Sequence, residues 1–432
     1  MKMLEREVSM GEYILAEANG RVIPTRDVIF GISGLAKEMA EKEGKDKVIN
    51  GTVGSLLDED GNLMILTSVV EVLKSLEAQD FADYAPIGGL ASYQKAVIKE
   101  TFGDFVPKGY TRAIATPGGS GAIRNTIVNY SKIGDKVLTS DWFWGPYNTI
   151  AQEHGRTITT FTLFDEKGCF NIKSFEERVK ELAAAQGKLV ILLNSPAHNP
   201  TGYTITDEEW DLILGVLDNE AKIGHVITVF ADVAYIDYAG DPVEERQFLK
   251  KFDGLHENIL IVMGYSMSKG YTLYGMRGGA MICLTSKEEI ADEFKKVCEQ
   301  SCRGTWSNGT RAAQALLAKV HEHPELLKKI ELEREGFRNI LLARGRAFEE
   351  AAKACGIPMV PYDGGFFVSL PMEKPEEVVD ELMKDGIFLV PLAKGVRVAV
   401  SAVALEKLQG IPEKIKAAVD RVNAGFVVSK QD

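Results

Sequence analysis

The sequence lacks the features that would place it at a membrane or on nucleic acid. No apolar run approaches the roughly 20 residues that span a bilayer. Residues 1–7 are polar and charged and lack the apolar core of a signal peptide. The formal net charge is −12, so the basic surface that nucleic acid requires is not expected. These absences predict a cytoplasmic protein without a membrane or nucleic-acid partner.

Cysteine is also scarce, and its spacing is irregular. The chain has five cysteines, an odd number that does not suggest a disulfide framework. Cys298 and Cys302 could share one face of a helix, but no second Cys or His pair completes a zinc site. We therefore predict reduced thiols and no metal site.

The 432 residues are enough for two domains, and their composition is that of a globular enzyme. Beyond about residue 112, apolar strands alternate with amphipathic segments, a pattern typical of a parallel sheet covered by helices. We predict an α/β protein, with a three-layer αβα large domain built on a mostly parallel sheet and a smaller α+β domain. The predicted parts are an N-terminal arm with part of the small domain (1–62), a large cofactor-binding domain (63–324) and a small C-terminal domain (325–432).

One stretch, residues 264–279, combines a lysine with hydroxyls, glycines and an arginine. Burial lowers the pKa of a lysine, and the neutral amine can then bind a carbonyl group as a Schiff base. Ser266 and Ser268 flank Lys269, and Arg277 follows, which supplies the donors that a phosphate group needs. The stretch indicates pyridoxal phosphate (PLP), an aldehyde that carries a phosphate. The alternative is a glycine-rich surface turn with a solvated lysine.

Two further motifs follow predicted strands. Residues 117–123 place small residues and Ser120 at the start of a predicted helix, where backbone N–H groups can bind phosphate. The same glycines could simply cap the helix. Residues 141–147 contain three aromatic residues before the final tyrosine; Trp144 could stack on a flat cofactor ring, or the aromatics could fill the core.

Three polar residues complete the set. Asn199 precedes a proline, so it is expected in a turn with its amide free to point into a cleft. Asp232 ends an apolar strand and could pair with a protonated pyridine nitrogen, with Tyr235 close behind. Arg397 could bind a substrate carboxylate with its two-pronged guanidinium. The alternatives are an ordinary turn, a structural cap and a snorkelling arginine.

Taken together, these motifs resemble the PLP-dependent fold type I class I aminotransferases, in particular the aspartate/aromatic branch. The resemblance runs from about Val48 to Val400. Its most specific pieces are Ser266 to Gly270 with Arg277, and His198 to Gly202.

The resemblance implies a role for each site residue. Lys269 would bind the cofactor covalently and move the substrate proton, Asp232 would pair with the pyridine nitrogen, and Asn199 and Tyr235 would hold the phenolic oxygen. Trp144 would stack on the ring. The phosphate would be bound by Gly119, Ser120, Ser266 and Arg277. Gly51, Asn199 and Arg397 would contact the substrate.

The resemblance also implies partners and a substrate class. Tyr84 resembles the tyrosine that reaches the phosphate of the neighbouring subunit, so a homodimer with shared sites is expected. Arg303 resembles the arginine that binds the distal carboxylate of dicarboxylic substrates, although the usual prolines do not follow it, and a plain surface arginine is the alternative. Tyr147 and Asn194 stand where aspartate-type enzymes tend to have histidines near the pyridine-binding aspartate.

The expected reaction transfers an amino group from an L-amino acid of aspartate or aromatic type to a 2-oxo acid such as 2-oxoglutarate, with ping-pong kinetics. A PLP-dependent lyase on the same scaffold is the nearest alternative. A non-enzymatic PLP-binding regulator would need a DNA-binding segment and a basic patch, which this acidic chain does not offer.

Overall fold

The computed structural model describes residues 15–17 and 27–429. Within these residues the strands, in chain order, are β1 (Ile49–Asn50), β2 (Tyr110–Pro117), β3 (Lys136–Ser140), β4 (Thr157–Phe161), β5 (Lys188–Asn194), β6 (Val226–Asp232), β7 (Ile259–Ser266), β8 (Gly278–Thr285), β9 (Phe367–Pro371), β10 (Ile387–Phe388), β11 (Val390–Leu392) and β12 (Gly395–Ala399).

The α-helices of the same residues are α1 (Val28–Glu43), α2 (Thr67–Lys74), α3 (Ala78–Ala82), α4 (Ala91–Phe102), α5 (Gly118–Tyr130), α6 (Pro146–Glu153), α7 (Ile172–Gln186), α8 (Asp207–Lys222), α9 (Met267–Gly270), α10 (Glu288–Thr305), α11 (Arg311–Glu322), α12 (Pro324–Cys355), α13 (Pro375–Lys384), α14 (Leu405–Leu408) and α15 (Ile411–Ser429). Short 3₁₀ helices form at Lys45–Lys47, Ile236–Tyr238, Glu244–Phe252 and Val400–Ala402. Among the described helices, none is both long and apolar enough to cross a bilayer.

The chain divides into two compact units. The larger unit comprises residues 65–196 and 204–337, and the smaller comprises the described residues of 1–64, 197–203 and 338–432. The predicted domain limits at residues 62 and 324 stay a prediction. Of the predicted N-terminal arm, residues 1–14 and 18–26 lie outside the described residues.

The larger unit is built on a seven-stranded sheet in the order β2-β8-β7-β6-β5-β3-β4. Strands β3 to β7 run parallel to one another, whereas β8 is antiparallel to both β7 and β2. The predicted α/β class with a mostly parallel sheet is confirmed. The reversed strand β8 was not foreseen, because a short apolar run carries no information about direction.

The core of the larger unit lies between this sheet and its helices. Side chains of β5, β6 and β7, such as Leu192, Phe230 and Val262, are fully buried, and they cluster with Ile123 of α5 and Phe294 of α10. Each such side chain stabilises the fold by about 1.5–3 kcal/mol relative to an exposed one. A rigid sheet of this kind holds the residues at its strand ends in fixed positions.

Polar residues occupy the carboxyl ends of neighbouring strands. In the parallel ladders, Asn194 pairs with Asp232, and Asp232 pairs with Gly264, two residues before Ser266. Because β8 runs the other way, its start lies at the same edge: Gly279 pairs with Ser266, and Gly278 pairs with Pro117. The segments around Asp232, Lys269, Arg277 and Gly118 therefore meet at one edge of the sheet.

The smaller unit has a core of its own. Strands β11, β12 and β9 form an antiparallel sheet, and β1 pairs with β10 in parallel. Helix α1 begins after Asp27, whose carboxylate accepts a hydrogen bond from the backbone N–H of Phe30 (2.8 Å). Its buried residues Ile32 and Ala36 join a cluster with Val368 and Val396. Over Val28–Glu43, the predicted N-terminal segment is thus a helix packed on this core.

Candidate active site

Lys269 lies in a tight turn at the end of a buried strand. Strand β7 ends at Ser266, whose hydroxyl accepts a hydrogen bond from the backbone N–H of Ser268 (3.3 Å) and caps the short helix α9. Lys269 is half-buried, and its Nζ lies 5.5 Å from the ring centroid of Tyr235 and 4.8 Å from that of Tyr274. The amine thus lies within about 6 Å of two aromatic ring centres, the range of cation–π contacts. Tyr274 was not among the predicted site residues, although it lies in the same stretch.

Arg277 and the start of helix α5 form a cradle for an anion. The Nη1 of Arg277 donates to the Ser268 hydroxyl (3.1 Å), and its carbonyl accepts from the Gly118 N–H (2.9 Å). Gly118 has a φ of 66°, and a Cβ there would lie 2.6 Å from Arg277 Nη2. Only glycine permits this approach.

The cradle combines the kinds of donor that phosphate needs. Gly119 and Ser120 continue the first turn of α5, whose backbone N–H groups have no partner within the helix. The Ser266 Cβ lies 3.7 Å from the Cβ position of Gly119, so the hydroxyls after β7 and the helix terminus after β2 are adjacent. Arg277 itself has a φ of 57°, a strained conformation that non-glycine residues adopt mostly at functional sites. Ser268 belongs to this group as well.

Asp232 is a buried carboxylate with defined partners. It is 7% exposed; Oδ2 accepts from the Tyr147 hydroxyl (2.6 Å) and Oδ1 from the Ala234 N–H (3.3 Å). Burial raises the pKa of Asp232 to about 6, although both hydrogen bonds lower it. Asn194 Nδ2 donates to the Asp232 backbone carbonyl (2.7 Å). The carboxylate therefore gains from a nearby cation, such as a protonated ring nitrogen.

Trp144 is held by the same tyrosine that contacts Asp232. Its ring meets that of Tyr147 edge-to-face, with centroids 5.6 Å apart. Tyr147 is fully buried near the start of α6, whereas Trp144 is half-buried. Tyr147 therefore fixes both an aromatic surface and the orientation of the acid.

Arg397 in the smaller unit lies on β12 and is only 3% exposed. Its Nη1 donates to Asn199 Oδ1 (3.1 Å), its Nη2 donates to the Thr52 carbonyl (2.7 Å), and its guanidinium lies over the Phe367 ring at 4.3 Å. Gly51, next to Thr52, accepts from the Ala399 N–H (2.9 Å). The structure thus brings together Gly51, Asn199 and Arg397, and it adds Thr52 and Phe367, which the sequence motifs did not mark.

Tyr84 and Arg303 both lie on the surface of the larger unit. Tyr84 is 82% exposed, and its backbone carbonyl accepts from Arg311 Nη1 (2.9 Å). Arg303, in the last turn of α10, is exposed and donates to the Ser307 hydroxyl (2.7 Å). Their roles stay predictions.

The side chains around Lys269 fit a phosphate-bearing aromatic aldehyde. Lys269 offers the amine, Asp232 a buried acid, Trp144 a ring surface and Arg277 a phosphate donor, all within the larger unit. Fold and side chains together are typical of an α/β transferase that holds an anionic cofactor.

The sequence model of aminotransferase class I and II matches residues 46–415. The chain belongs to this family, which confirms the predicted enzyme class, an aminotransferase, and its PLP cofactor.

Individual relatives agree with this assignment. The mitochondrial aspartate aminotransferase of Xenopus tropicalis is 26% identical over 326 residues, 73% of each chain. A crystal structure of an aminotransferase from Anaerococcus prevotii is 39% identical, with a TM-score of 0.91 over 94% of this chain and 99% of that one. The aromatic-amino-acid aminotransferase of Burkholderia pseudomallei, covalently bound to pyridoxal phosphate, shares the fold at 23% identity, with a TM-score of 0.76 over 94% of this chain and 100% of that one.

Proposed function

We propose that this aminotransferase uses Lys269 to bind pyridoxal phosphate and to move the substrate proton. The observation that carries the proposal is the position of Lys269, whose amine lies near the rings of Tyr235 and Tyr274. Lys269 stands in α9, directly after β7, and β7 pairs with β6, the strand that ends at Asp232. When bound, pyridoxal phosphate supplies an aldehyde that condenses with amines and a ring that accepts electrons from the substrate Cα.

Each site residue of the larger unit has a separate proposed role toward the cofactor. Gly119, Ser120, Ser266 and Arg277 hold the phosphate with hydroxyls, a guanidinium and a helix N-terminus, and Ser268 orients Arg277. Asp232 would hold a proton on the pyridine nitrogen, and Tyr147 would keep Asp232 ionised and oriented. Trp144 would cover the ring, and Tyr235 would donate to the phenolic oxygen. The free amine of Lys269 would take the proton from the substrate Cα as a general base.

The residues of the smaller unit bind the substrate. Arg397 holds the α-carboxylate through its planar guanidinium, which the Phe367 ring and the Thr52 carbonyl fix in place. Asn199, bonded to the same arginine, is proposed to hold the phenolic oxygen, and Gly51 lies beside the substrate.

Absorbance spectroscopy tests the reaction. Protein loaded with PLP is mixed with aspartate or with phenylalanine, and 2-oxoglutarate is then added. We expect the visible band to disappear with the amino acid and to return with the oxo acid, as a ping-pong exchange of the amino group requires. Lys269→Ala should abolish the response, whereas Lys287→Ala, at an exposed lysine paired with Glu257, should not change it. Turnover that needs no oxo acid would indicate a lyase instead.

The substrate class follows from Arg303 in this proposal. We propose L-aspartate or an aromatic amino acid as donor and 2-oxoglutarate as acceptor, with Arg303 binding the distal carboxylate. Arg303→Ala should then raise KM for aspartate by about 100-fold, the loss of a charge-assisted carboxylate contact, and leave KM for phenylalanine within about twofold. Equal values for the variant and the wild type would make Arg303 a surface residue.

We further propose a cytoplasmic homodimer in which Tyr84 binds the phosphate of the neighbouring subunit. The 82% exposure of the Tyr84 side chain suits a residue that reaches a second copy. Mixing inactive Lys269→Ala subunits with Tyr84→Ala subunits distinguishes shared sites from separate ones. Shared sites give hybrids with one intact site, so the activity of the mixture should exceed the sum of the two parents; separate sites give only the sum.

A further inference from the structure

A group of buried charged side chains lies directly behind the Lys269 turn. It consists of Glu100 on α4, Asp237, Arg246, His321 on α11 and Arg334 on α12, and we call it the buried charge cluster. Its carboxylates and arginines are each at most 8% exposed. Buried charges are rare and are kept only with close partners. This cluster is separate from the residues assigned above.

Arg334 is the central cation of the cluster. Its Nη2 donates to Glu100 Oε1 (2.8 Å) and lies 3.8 Å from Asp237 Oδ2, and its guanidinium stacks over the Tyr271 ring at 4.5 Å. Glu100 also binds the Tyr271 hydroxyl (3.2 Å) and His321 Nε2 (2.8 Å). With its plane fixed by these contacts, the guanidinium has little freedom left.

Another donor of Arg334 points at the backbone beside Lys269. Its Nε donates to the carbonyl of Gly270, the residue after Lys269, over 2.7 Å. Tyr271, on which the guanidinium stacks, is the next residue. One side chain therefore holds both residues that follow Lys269.

The cluster also touches the segment that carries Tyr235. Asp237, two residues after Tyr235, lies so close to Gly270 that a Cβ on that glycine would clash with the Asp237 Oδ2. Arg246 binds Asp237 from the other side, with Nη2 donating to Oδ1 (2.6 Å). Its other described hydrogen bonds go to the carbonyls of Glu100 and Pro242, and none goes to the Lys269 turn. The Tyr235 segment and the Lys269 turn thus meet on Arg334 and its partners.

We propose that Arg334 is a positioning residue for the aminotransferase reaction: by holding the Gly270 carbonyl and the Tyr271 ring, it fixes the turn that presents the Lys269 amine. The proposal rests on the function proposed for Lys269. A proton-transferring group must be held to within a fraction of an ångström, and a displacement of about 1 Å can cost about 100-fold in rate. A buried arginine anchored on two carboxylates supplies such rigidity from outside the site.

The test compares Arg334→Lys with Arg246→Lys in the full-length protein. Both changes keep the charge and remove a guanidinium from the same cluster, but only the first removes the bond to Gly270. We expect Arg334→Lys to lower kcat at least tenfold with KM within twofold, because the proposed contact to the substrate carboxylate, Arg397, lies outside the Lys269 turn. PLP affinity should fall about fivefold, because binding must then order a turn that the lost hydrogen bond no longer holds. Arg246→Lys should leave kcat, KM and PLP affinity within twofold of the wild-type values.

A measurement on cofactor-free protein gives an independent readout. Hydrogen–deuterium exchange should rise in the peptide that contains residues 267–273 for Arg334→Lys, and stay at the wild-type level there for Arg246→Lys. Equal kinetics and equal exchange in the two variants would overturn the proposal. If Arg334→Lys does not fold, Glu100→Gln is expected to give the same pattern, because it removes one of the two carboxylates that hold Arg334 and leaves the arginine in place. Failure of the proposed function would show differently, as a wild-type protein that does not exchange amino groups or a Lys269→Ala variant that still does.

Discussion

Replacing Asp232 by asparagine is expected to stabilise the cofactor-free protein and to abolish the activity of the PLP-bound enzyme. The carboxyl is buried, and its pKa of about 6 lies above the ordinary value of 3.8 because burial disfavours the charged form. The difference of about two pH units corresponds to about 3 kcal/mol. Asparagine has nearly the same shape, can still accept from Tyr147 and carries no charge.

The sign follows from proton linkage. Below pH 3.8 the carboxyl is protonated in both the folded and the unfolded chain, so it costs nothing. As the pH rises above 3.8, the carboxyl ionises first in the unfolded chain, and this lowers the free energy of unfolding of the wild type. The loss reaches about 3 kcal/mol once the pH is above 6. The free energy of unfolding of the wild type should therefore fall, relative to that of Asp232→Asn, between about pH 4 and pH 7.

Urea unfolding of the cofactor-free proteins at a series of pH values measures this difference. With PLP bound, the wild type should be more stable than Asp232→Asn, because the ionised carboxylate pairs with the ring nitrogen. The kcat of Asp232→Asn should be at least 100-fold below that of the wild type. Parallel pH profiles of stability for wild type and variant would refute the reasoning, since they would mean that Asp232 titrates at its ordinary pKa.

Three further predictions concern its neighbours. Tyr147→Phe removes a hydrogen bond that lowers the pKa of Asp232, so in cofactor-free protein the fall in stability should extend about one pH unit higher in the same urea series. Gly118→Ala places a Cβ 2.6 Å from Arg277 Nη2 and should weaken PLP binding at least tenfold by fluorescence titration, whereas Gly187→Ala, with a similar φ of 69° and no atom within 4 Å, should not. Arg397→Lys loses the two-pronged contact and the stacking on Phe367, so KM for every amino acid should rise about 100-fold in steady-state assays; an unchanged KM would remove Arg397 from the substrate site.

The local motifs predicted the residues near Lys269 because each motif follows its own strand. Asp232 ends β6 and Ser266 ends β7, so alternating strands and helices were enough to place both at one edge of the sheet. The family, the fold class and the cofactor are confirmed. Tyr147 was marked only through the resemblance, and its bond to Asp232 required the structure.

Other contacts could not be predicted, because they join residues far apart in the chain. Arg334 and Glu100 are 234 positions apart, and each stands in a sequence that is simply amphipathic and helical. Thr52 meets Arg397 through a backbone carbonyl, which leaves no trace in side-chain identity. Cofactor roles of individual residues, the subunit role of Tyr84 and the substrate role of Arg303 stay predictions.

The reversed strand β8 determines where the chain can change in length. Hydrogen-bonded ladders fix Ser266 at the end of β7 and Gly278 at the start of β8. The loop between them carries Lys269 and Arg277, and Arg277 Nη1 donates to the Tyr274 carbonyl (2.9 Å), so an added residue there would shift the side chains of the proposed site. One extra residue inside β8 would turn every following side chain to the opposite face of the sheet. Length variation among related chains is therefore expected outside the segment from β7 to β8.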